Sequence, residues 1–329
     1  MYSLKPLANI IKGRPVLAIF EICLRCNSAC GYCDLPLNEG RSELTREEIK
    51  IIFTDLYATG VRFLFIQGGE PTVRRDLIEI LHDLHDIGFR LTLITNGTRL
   101  SDKMIAKLSE LPISLSISLD TLDREHYKSI RGADQLPQVL DGIERLANYP
   151  HPKFITCIVT EQNRKDVTEV VEYSRKKGFM PVVGAYHWGI ERYGRIDPTL
   201  QYQRDAAVEV FKNLMSAGLI PKGYFRNYLQ DNIDWLSGEN LSSCDAGRYS
   251  ISIDSSGNVA PCLALHHAGN LLENSLSEIL DNFDQQSIDD CSNKSSCNMM
   301  CSRVVGSIIK KPLSSLSTPK KLSRTVEVS

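Results

Sequence analysis

Six short apolar runs recur between residues 16 and 187: "VLAIFEI", "RFLFIQ", "RLTLIT", "ISLSISL", "KFITCIV" and "MPVVGAY". Segments of helical period separate them. Strands that alternate with helices pair as a parallel sheet, because each return to the sheet needs a long crossover. Between the first two runs, Thr45 and Glu48 have capping-box spacing, Ile49, Ile52, Phe53 and Leu56 fall on one helical face, and Gly60 follows as a stop. Leu77, Ile78, Leu81 and Leu84 mark a second crossover helix ending near Gly88; Val167, Val170 and Val171 mark a later one ending near Gly178.

After residue 190 the rhythm changes. A helix is expected from about 200 to 217, then an irregular stretch with Trp235, then "YSISIDSSGNVAPC", which alternates like a hairpin around Ser256 and Gly257. From about 303 the chain is rich in Ser, Lys and Pro with a single acid, Glu327, and reads as disordered. The expected organisation is an N-terminal extension (1–15), a partial (β/α)6 TIM-type barrel (16–197), a helical linker (198–243), a small α+β unit (244–302) and a disordered tail (303–329).

Charge and cysteine usage narrow the function. The chain sets 38 Lys and Arg against 40 Asp and Glu, so it has no basic field to hold a phosphate backbone, and nucleic acid is not an expected partner. "PVLAIFEI" is too short to span a membrane and lacks a cleavage pattern, so the protein reads as soluble and cytoplasmic. Ten cysteines in such a chain are expected to serve as metal ligands or reactive thiols rather than disulfides.

Three of them, Cys26, Cys30 and Cys33, have the spacing C-x3-C-x2-C directly after the first strand. Zinc sites usually pair cysteines as C-x2-C and close with four ligands, which suits this set poorly. Three thiolates can hold a cubane iron–sulfur cluster and leave one iron open for another molecule. Cys23 stands three positions earlier, at the strand end, and is expected to be a packed thiol outside that set. "GGEP" (Gly68, Gly69, Glu70, Pro71) ends the second strand; its glycines would let the backbone approach a ligand, and Glu70 would accept hydrogen bonds from an ammonium. "TNGT", with Asn96, ends the third strand and "SISLD", with Ser118, ends the fourth, where an active face of a βα barrel would lie. Read alone, these residues are a turn and inward-facing strand positions, and Arg131 in "SIRG" is a solvated helix-end charge.

The three-cysteine spacing with an aromatic residue before the last, Tyr32, resembles the radical S-adenosylmethionine (SAM) superfamily. The resemblance covers roughly residues 16 to 301. It implies a [4Fe-4S] cluster on Cys26, Cys30 and Cys33 whose open iron chelates SAM, and one-electron cleavage of SAM to methionine and a 5′-deoxyadenosyl radical. It further implies that Gly68 to Pro71 meet the SAM amine, that Ser118 and Arg131 hold its carboxylate and ribose region, and that Tyr32 and Asn96 line the same site. A flavodoxin or ferredoxin-type electron donor is implied as partner.

Five more cysteines lie in 58 residues: Cys244, Cys262, Cys291, Cys297 and Cys301. They resemble the SPASM and twitch extensions of that superfamily, which bind auxiliary clusters. A full SPASM module has seven cysteines; here Ile288 stands where one is missing. One auxiliary [4Fe-4S] cluster is therefore expected, with Cys244 and Cys262 joined by two of the last three. A zinc knuckle using His266 and His267 is the alternative for the same residues.

Catalytic side chains are less legible. Cys157, alone in a strand, reads as core, with hydrogen-atom donation as the functional alternative. His187, Glu191 and Tyr193 in "HWGIERYG" are placed to contact substrate over the barrel mouth or to dock the second unit. The expected function is an oxidoreductase or epimerase-type enzyme that abstracts hydrogen from an organic substrate, leading to oxidation, epimerisation or bond formation. A small metabolite is favoured because the first cluster motif starts at residue 26, leaving no room for a preceding peptide-recognition domain. A peptide-modifying maturase is the alternative, and an iron–sulfur electron carrier or redox sensor is the alternative of another class.

Overall fold

A computed structural model describes residues 4–38, 42–188, 197–294 and 296–315. After α1 (Lys5–Lys12), strand and helix alternate: β1 (Leu17–Glu21), α2 (Arg46–Thr59), β2 (Phe63–Gln67), α3 (Leu77–Ile87), β3 (Arg90–Thr95), α4 (Asp102–Ser109) and β4 (Ser114–Ser118). Two helices, α5 (Arg124–Arg131) and α6 (Leu136–Arg145), lead to β5 (Lys153–Val159), α7 (Val167–Lys176) and β6 (Met180–Ala185). The chain continues through α8 (Arg204–Ser216), α9 (Tyr224–Leu236), β7 (Ser250–Ile253), β8 (Asn258–Ala260) and β9 (Gly269–Asn270). It closes with α10 (Leu276–Asp281), α11 (Gln285–Asn293), α12 (Met300–Lys310) and α13 (Pro312–Ser315).

Every one of the six apolar runs is a strand, and β1 to β6 pair in parallel, each with its sequence neighbour. This is the expected α/β class with six parallel barrel strands. The capping box predicted for α2 is present, with Thr45 Oγ1 accepting from the Glu48 amide and Glu48 from the Thr45 amide; Gly60, at φ 112°, ends the helix. Alternate strand residues divide the sheet into two faces. Leu64, Ile66, Leu91, Leu93, Leu115, Ile117, Ile155 and Val159 share one core with Ile49, Phe53, Leu81, Val139 and Val170 of the helices. The registers Thr92↔Ser114, Ile94↔Ser116 and Ser118↔Thr156 gather small and polar side chains on the other, inner face.

Cys157 belongs to the helix side. It is 1% exposed, lies in the same core as Ile155 and Val159, and aligns with Val183. Its thiol points toward the Asp120 carbonyl at 3.6 Å, so it is not on the face where a substrate would be handled. The reason is the two-residue period of a strand: Thr156 and Ile158 take the inner face, and Cys157 must take the other.

Two features add to the expected organisation. The C-terminal hairpin does not stand apart: β7 pairs in parallel with β1, Ser252 opposite Ile19, so the order is β6-β5-β4-β3-β2-β1-β7-β8-β9 in one sheet. The expected tail is helical through residue 315. Tertiary contact overrides its polar composition: Lys310 Nζ bonds Asp245 Oδ2 at 2.9 Å, Arg303 bonds the Ser242 carbonyl at 2.8 Å, and a Cβ on Gly306 would lie 1.7 Å from Asp245 Oδ2. Residues 316–329 lie outside the described residues. Among the described residues, no helix is long and apolar enough to cross a membrane.

Candidate functional site

The loop carrying Cys26, Cys30 and Cys33 leaves β1 and crosses the ends of the neighbouring strands. Its backbone is anchored to the C-terminus of α5: the Ala29 amide donates to the Arg131 carbonyl at 3.1 Å and the Gly31 amide to the Ile130 carbonyl at 3.0 Å. Side chains add a second anchor at the end of β3. Asn96 Nδ2 donates to Asn27 Oδ1 at 2.8 Å and to Ser28 Oγ at 3.2 Å, while Gln135 Nε2 donates to the Asn27 carbonyl at 3.0 Å. Asn96, expected on the site for its place at a strand end, therefore acts on the loop itself.

Gly68, Gly69 and Glu70 run beside residues 23 to 25. The Gly69 amide bonds the Cys23 carbonyl and the Glu70 amide the Arg25 carbonyl, each at 2.8 Å. A Cβ on either glycine would lie 2.2 Å from a carbonyl oxygen of that segment. The glycines are needed because two backbones touch, not only because a ligand would. Glu70 also differs from expectation. Its carboxylate is 1% exposed; Oε1 accepts from the Thr72 amide and from the Thr72 and Thr95 hydroxyls, and Oε2 from the Asn96 amide at 2.7 Å. With four donors of its own chain it ties the ends of β2 and β3 together rather than standing open to an ammonium. Pro71, also buried, starts the turn that Glu70 caps.

Asp120 is a residue that sequence reasoning passed over. It has no exposed surface, and its Oδ2 takes Arg131 Nη2 at 2.7 Å and the Tyr32 hydroxyl at 3.1 Å, while Oδ1 takes the Ile158 amide at 2.9 Å. Its signal was the last letter of "SISLD", a charged residue at the end of an otherwise buried strand. Arg131, read as a solvated charge when taken alone, is buried, lies over the Tyr32 ring at 5.7 Å and directs Nη1 to Cys30 Sγ at 4.0 Å. Its Nε is buried without a hydrogen-bond partner. Ser118 is half-buried on the inner face, level with Thr156.

Burial pushes Cys26 up to about 11 and Cys33 up to about 12, and raises Cys30 against the lowering effect of Arg131. Cys23 lies deeper, 0% exposed, with its thiol toward the Glu70 carbonyl at 3.5 Å; burial takes it to about 12.

At the mouth, Tyr186 stands 5.8 Å from Tyr32 and 5.6 Å from Trp188. His187 turns to the C-terminal unit: Nε2 accepts from the Asn298 backbone amide at 2.9 Å, and its ring lies 4.5 Å from that of Trp235, tilted by 33°. Burial lowers it to about 4, so it is neutral at pH 7. Docking rather than substrate contact describes its surroundings. Glu191 and Tyr193 lie outside the described residues.

The five C-terminal cysteines converge although β7 to β9, α10 and α11 intervene. Cys262 lies within electrostatic reach of Cys244, Cys291 and Cys301. Cys291 and Cys297 act on each other more strongly than any other group does, which favours the thiolate of Cys291 over that of Cys297, and Arg303 favours the thiolates of Cys244 and Cys291. Beside them, Asn298 is 0% exposed and both atoms of its side-chain amide lack a hydrogen-bond partner. His267 instead pairs with Asp254 at 3.5 Å.

Residues 20–174 match the family model described as the radical SAM superfamily, and residues 244–303 the model of an iron–sulfur cluster-binding domain, SPASM. The chain belongs to the radical SAM superfamily. This radical SAM protein is 33% identical over 168 residues to a probable GTP 3′,8-cyclase of Pyrococcus abyssi, covering 50% of this chain and 55% of that one. It is 34% identical over 160 residues to a GTP 3′,8-cyclase of Marinobacter nauticus, covering 46% and 48%. The chain spans about half the length of the curated relatives it matches. In fold it is similar to Streptococcus suis SuiB bound to the precursor peptide SuiA, with a TM-score of 0.67 at 19% identity, covering 84% of this chain and 67% of that one. It is also similar to anSMEcpe with bound AdoMet, with a TM-score of 0.62 at 19% identity, covering 86% and 83%.

The two domains imply a [4Fe-4S] cluster with SAM and an auxiliary iron–sulfur cluster. The residues present fit both groups. Near Cys30, Arg131 offers a buried cation and an unpartnered N–H to a group that carries negative charge. Near the other five thiols, the unpartnered Asn298 amide offers N–H donors. Among the described residues, no three His, Cys, Asp or Glu side chains close around a point as a single ion requires. A four-iron cube is larger than an ion and holds its thiolates further apart.

Proposed function

We propose that this protein is a radical SAM enzyme that abstracts hydrogen from a small organic metabolite, with Cys26, Cys30 and Cys33 as ligands of its SAM-binding cluster. When bound, that group supplies one-electron cleavage of SAM to methionine and a 5′-deoxyadenosyl radical. The observation that carries the reading is the three-thiol loop fixed to α5 and to the end of β3, in a chain that matches the superfamily model. A loop held in this way keeps three ligands without a fourth and leaves room for a chelating cofactor.

The chain's own residues then divide the tasks. Arg131 balances the thiolate of Cys30 and is itself balanced by Asp120. Tyr32, Tyr186 and Trp188 form an aromatic wall that excludes water from the mouth, where a radical would otherwise be quenched. Ser118 offers a hydroxyl on the inner face for polar groups of SAM or substrate, level with Thr156, whose own hydroxyl is held 2.7 Å from that of Ser116. Cys244 and Cys262 with two of Cys291, Cys297 and Cys301 would hold the auxiliary cluster, whose part is to accept an electron from product or to shape the site. Oxidation, epimerisation and bond formation are all compatible with this set.

A small metabolite is favoured because the relatives named as GTP 3′,8-cyclases act on one, whereas the likeness to a peptide-bound protein rests on fold. All ten cysteines are free of disulfides, as suits the reducing cytoplasm. The test is to reconstitute the protein with iron and sulfide, reduce it, add SAM and measure 5′-deoxyadenosine by chromatography. Slow formation without substrate is expected. No formation, with about four irons per chain or more bound, would leave the electron-carrier reading instead.

A further inference from the structure

Each group of cysteines has a buried arginine beside it, and the two arginines differ in what neutralises them. Arg131, beside Cys30, is paired with the Asp120 carboxylate at 2.7 Å. Arg303, on α12 just after Cys301, is 8% exposed and makes no ion pair among the described residues. Asp245, the buried carboxylate next to Cys244, is held instead by Lys310 at 2.9 Å. The Arg303 guanidinium donates from Nη1 to the Ser242 carbonyl at 2.8 Å, while its Nε is buried without a partner. A buried cation with no carboxylate and an unused donor is costly unless another negative group meets it.

This cation stands where three thiol-bearing segments are tied together. Its bond to Ser242 holds α12 to the residues before Cys244, and the Cys244 amide donates to Ser292 Oγ, next to Cys291, at 2.9 Å. The thiolates that Arg303 favours, those of Cys244 and Cys291, belong to these segments. A second unpartnered group lies on the same unit. Asn298, between Cys297 and Cys301, is fixed through its backbone on both sides: its amide donates to His187 Nε2 at 2.9 Å, and its carbonyl accepts from the Tyr228 hydroxyl at 3.0 Å. With the backbone so held, the buried side-chain amide has no partner for either atom. Cluster sulfurs accept N–H donors, and thiolates on a cubane leave a net negative charge that grows on reduction.

We propose that Arg303 is the counter-charge of the auxiliary cluster and, with the Asn298 side-chain amide, stabilises its reduced state and so holds its reduction potential up. The proposal rests on the auxiliary-cluster part of the reading above and names the residues that tune that cluster. Positive charge and N–H donors close to a cluster favour its more negative state, so the cluster held here is easier to reduce than the same thiolates would make it without Arg303. Beside Cys30, Asp120 cancels the corresponding cation. The two sites therefore differ in charge balance by design of the fold rather than by ligand type.

The test uses the Cys26→Ala/Cys30→Ala/Cys33→Ala chain reconstituted with iron and sulfide, so that any cluster belongs to the C-terminal set. Titration with dithionite and redox mediators, followed by the electron paramagnetic resonance of the reduced cluster, gives its potential with no SAM present; each cluster gains one electron and no bond breaks. Arg303→Gln in this background should disfavour reduction at least about tenfold, a potential about 59 mV lower for one electron. Arg303→Lys, which keeps the charge, should stay within about threefold of the parent, and Asn298→Ala should disfavour reduction by about threefold or more. A parent-like potential in Arg303→Gln or in Asn298→Ala overturns the proposal, as does an Arg303→Lys potential that falls as far as that of Arg303→Gln. Loss of iron from Arg303→Gln, with iron and potential kept in Arg303→Lys, supports it; loss from both overturns it, because lysine keeps the charge. A background chain that binds zinc in place of iron, or no iron, overturns it too. Failure of the intact protein to form 5′-deoxyadenosine counts against the enzyme reading alone, because no arm of this titration uses SAM.

Discussion

At the scale of single residues, the Asp120 carboxylate holds the most consequential position. It joins Tyr32 of the cluster loop, Arg131 of α5 and the Ile158 amide of β5 at one buried point. Removing one partner of a buried ion pair costs far more than the pair contributes, because the other charge stays desolvated and alone. Asp120→Ala should therefore destabilise the chain by about 3–5 kcal/mol, read as a lower denaturant midpoint. A midpoint equal to the parent's would show that Arg131 does not depend on Asp120. Their pairing was not legible from the sequence: Arg131, singled out through the family resemblance, reads as a helix-end charge when taken alone, Asp120 ends a strand, and only folding sets them 2.7 Å apart.

At the scale of elements, the cluster loop and the end of α5 form one rigid unit through Gly132. That residue has φ 66°, and a Cβ there would meet the Ala29 carbonyl oxygen at 2.2 Å. Gly178, at the end of α7, has φ 75° but nothing within 4 Å of an added Cβ. The two glycines separate backbone strain from steric contact. Gly178→Ala should cost about 1 kcal/mol, the ordinary penalty for a left-handed alanine. Gly132→Ala should cost clearly more and lower the iron retained after reconstitution, since Ala29 lies between Cys26 and Cys30. Equal losses in thermal midpoint, with equal iron content, would mean that the loop yields without cost. Here the sequence was informative in part. It marks Gly178 as a helix end, but gives no sign that Gly132 supports the backbone at Ala29, far earlier in the chain.

At the scale of the whole molecule, His187 joins the barrel mouth to the cysteine-rich unit through the Asn298 amide and the Trp235 ring. Its folded value of about 4 lies below the ordinary 6.5. The unfolded chain therefore takes up the proton first. Above pH 6.5 both states are neutral and stability is unaffected; as pH falls from 6.5 toward 4, stability is lost with a slope of at most about 1.4 kcal/mol per unit. Stability curves of the parent and His187→Gln should diverge in slope across that window and run parallel above it. Parallel curves throughout would mean that the imidazole is not enclosed in solution.

The sequence by itself determined the local and periodic features of this protein: six strands, their crossover helices, the hairpin after Ser250 and the cysteine groupings. These follow from side-chain period, capping chemistry and ligand spacing, all of which act over a few residues. The tertiary structure alone decided what depends on distant partners. It placed β7 beside β1, so that the hairpin extends the sheet of the first six strands; it ordered α12 against Asp245, where composition suggested disorder; it turned Cys157 toward the helices and Glu70 toward its own chain. The opening spacing of Cys26, Cys30 and Cys33 was visible from the start, but the anchors that make the loop a rigid three-ligand set come from residues around 70, 96 and 131. Burial and pairing across such separations are free-energy differences between whole arrangements of the chain, and no short stretch of sequence carries them.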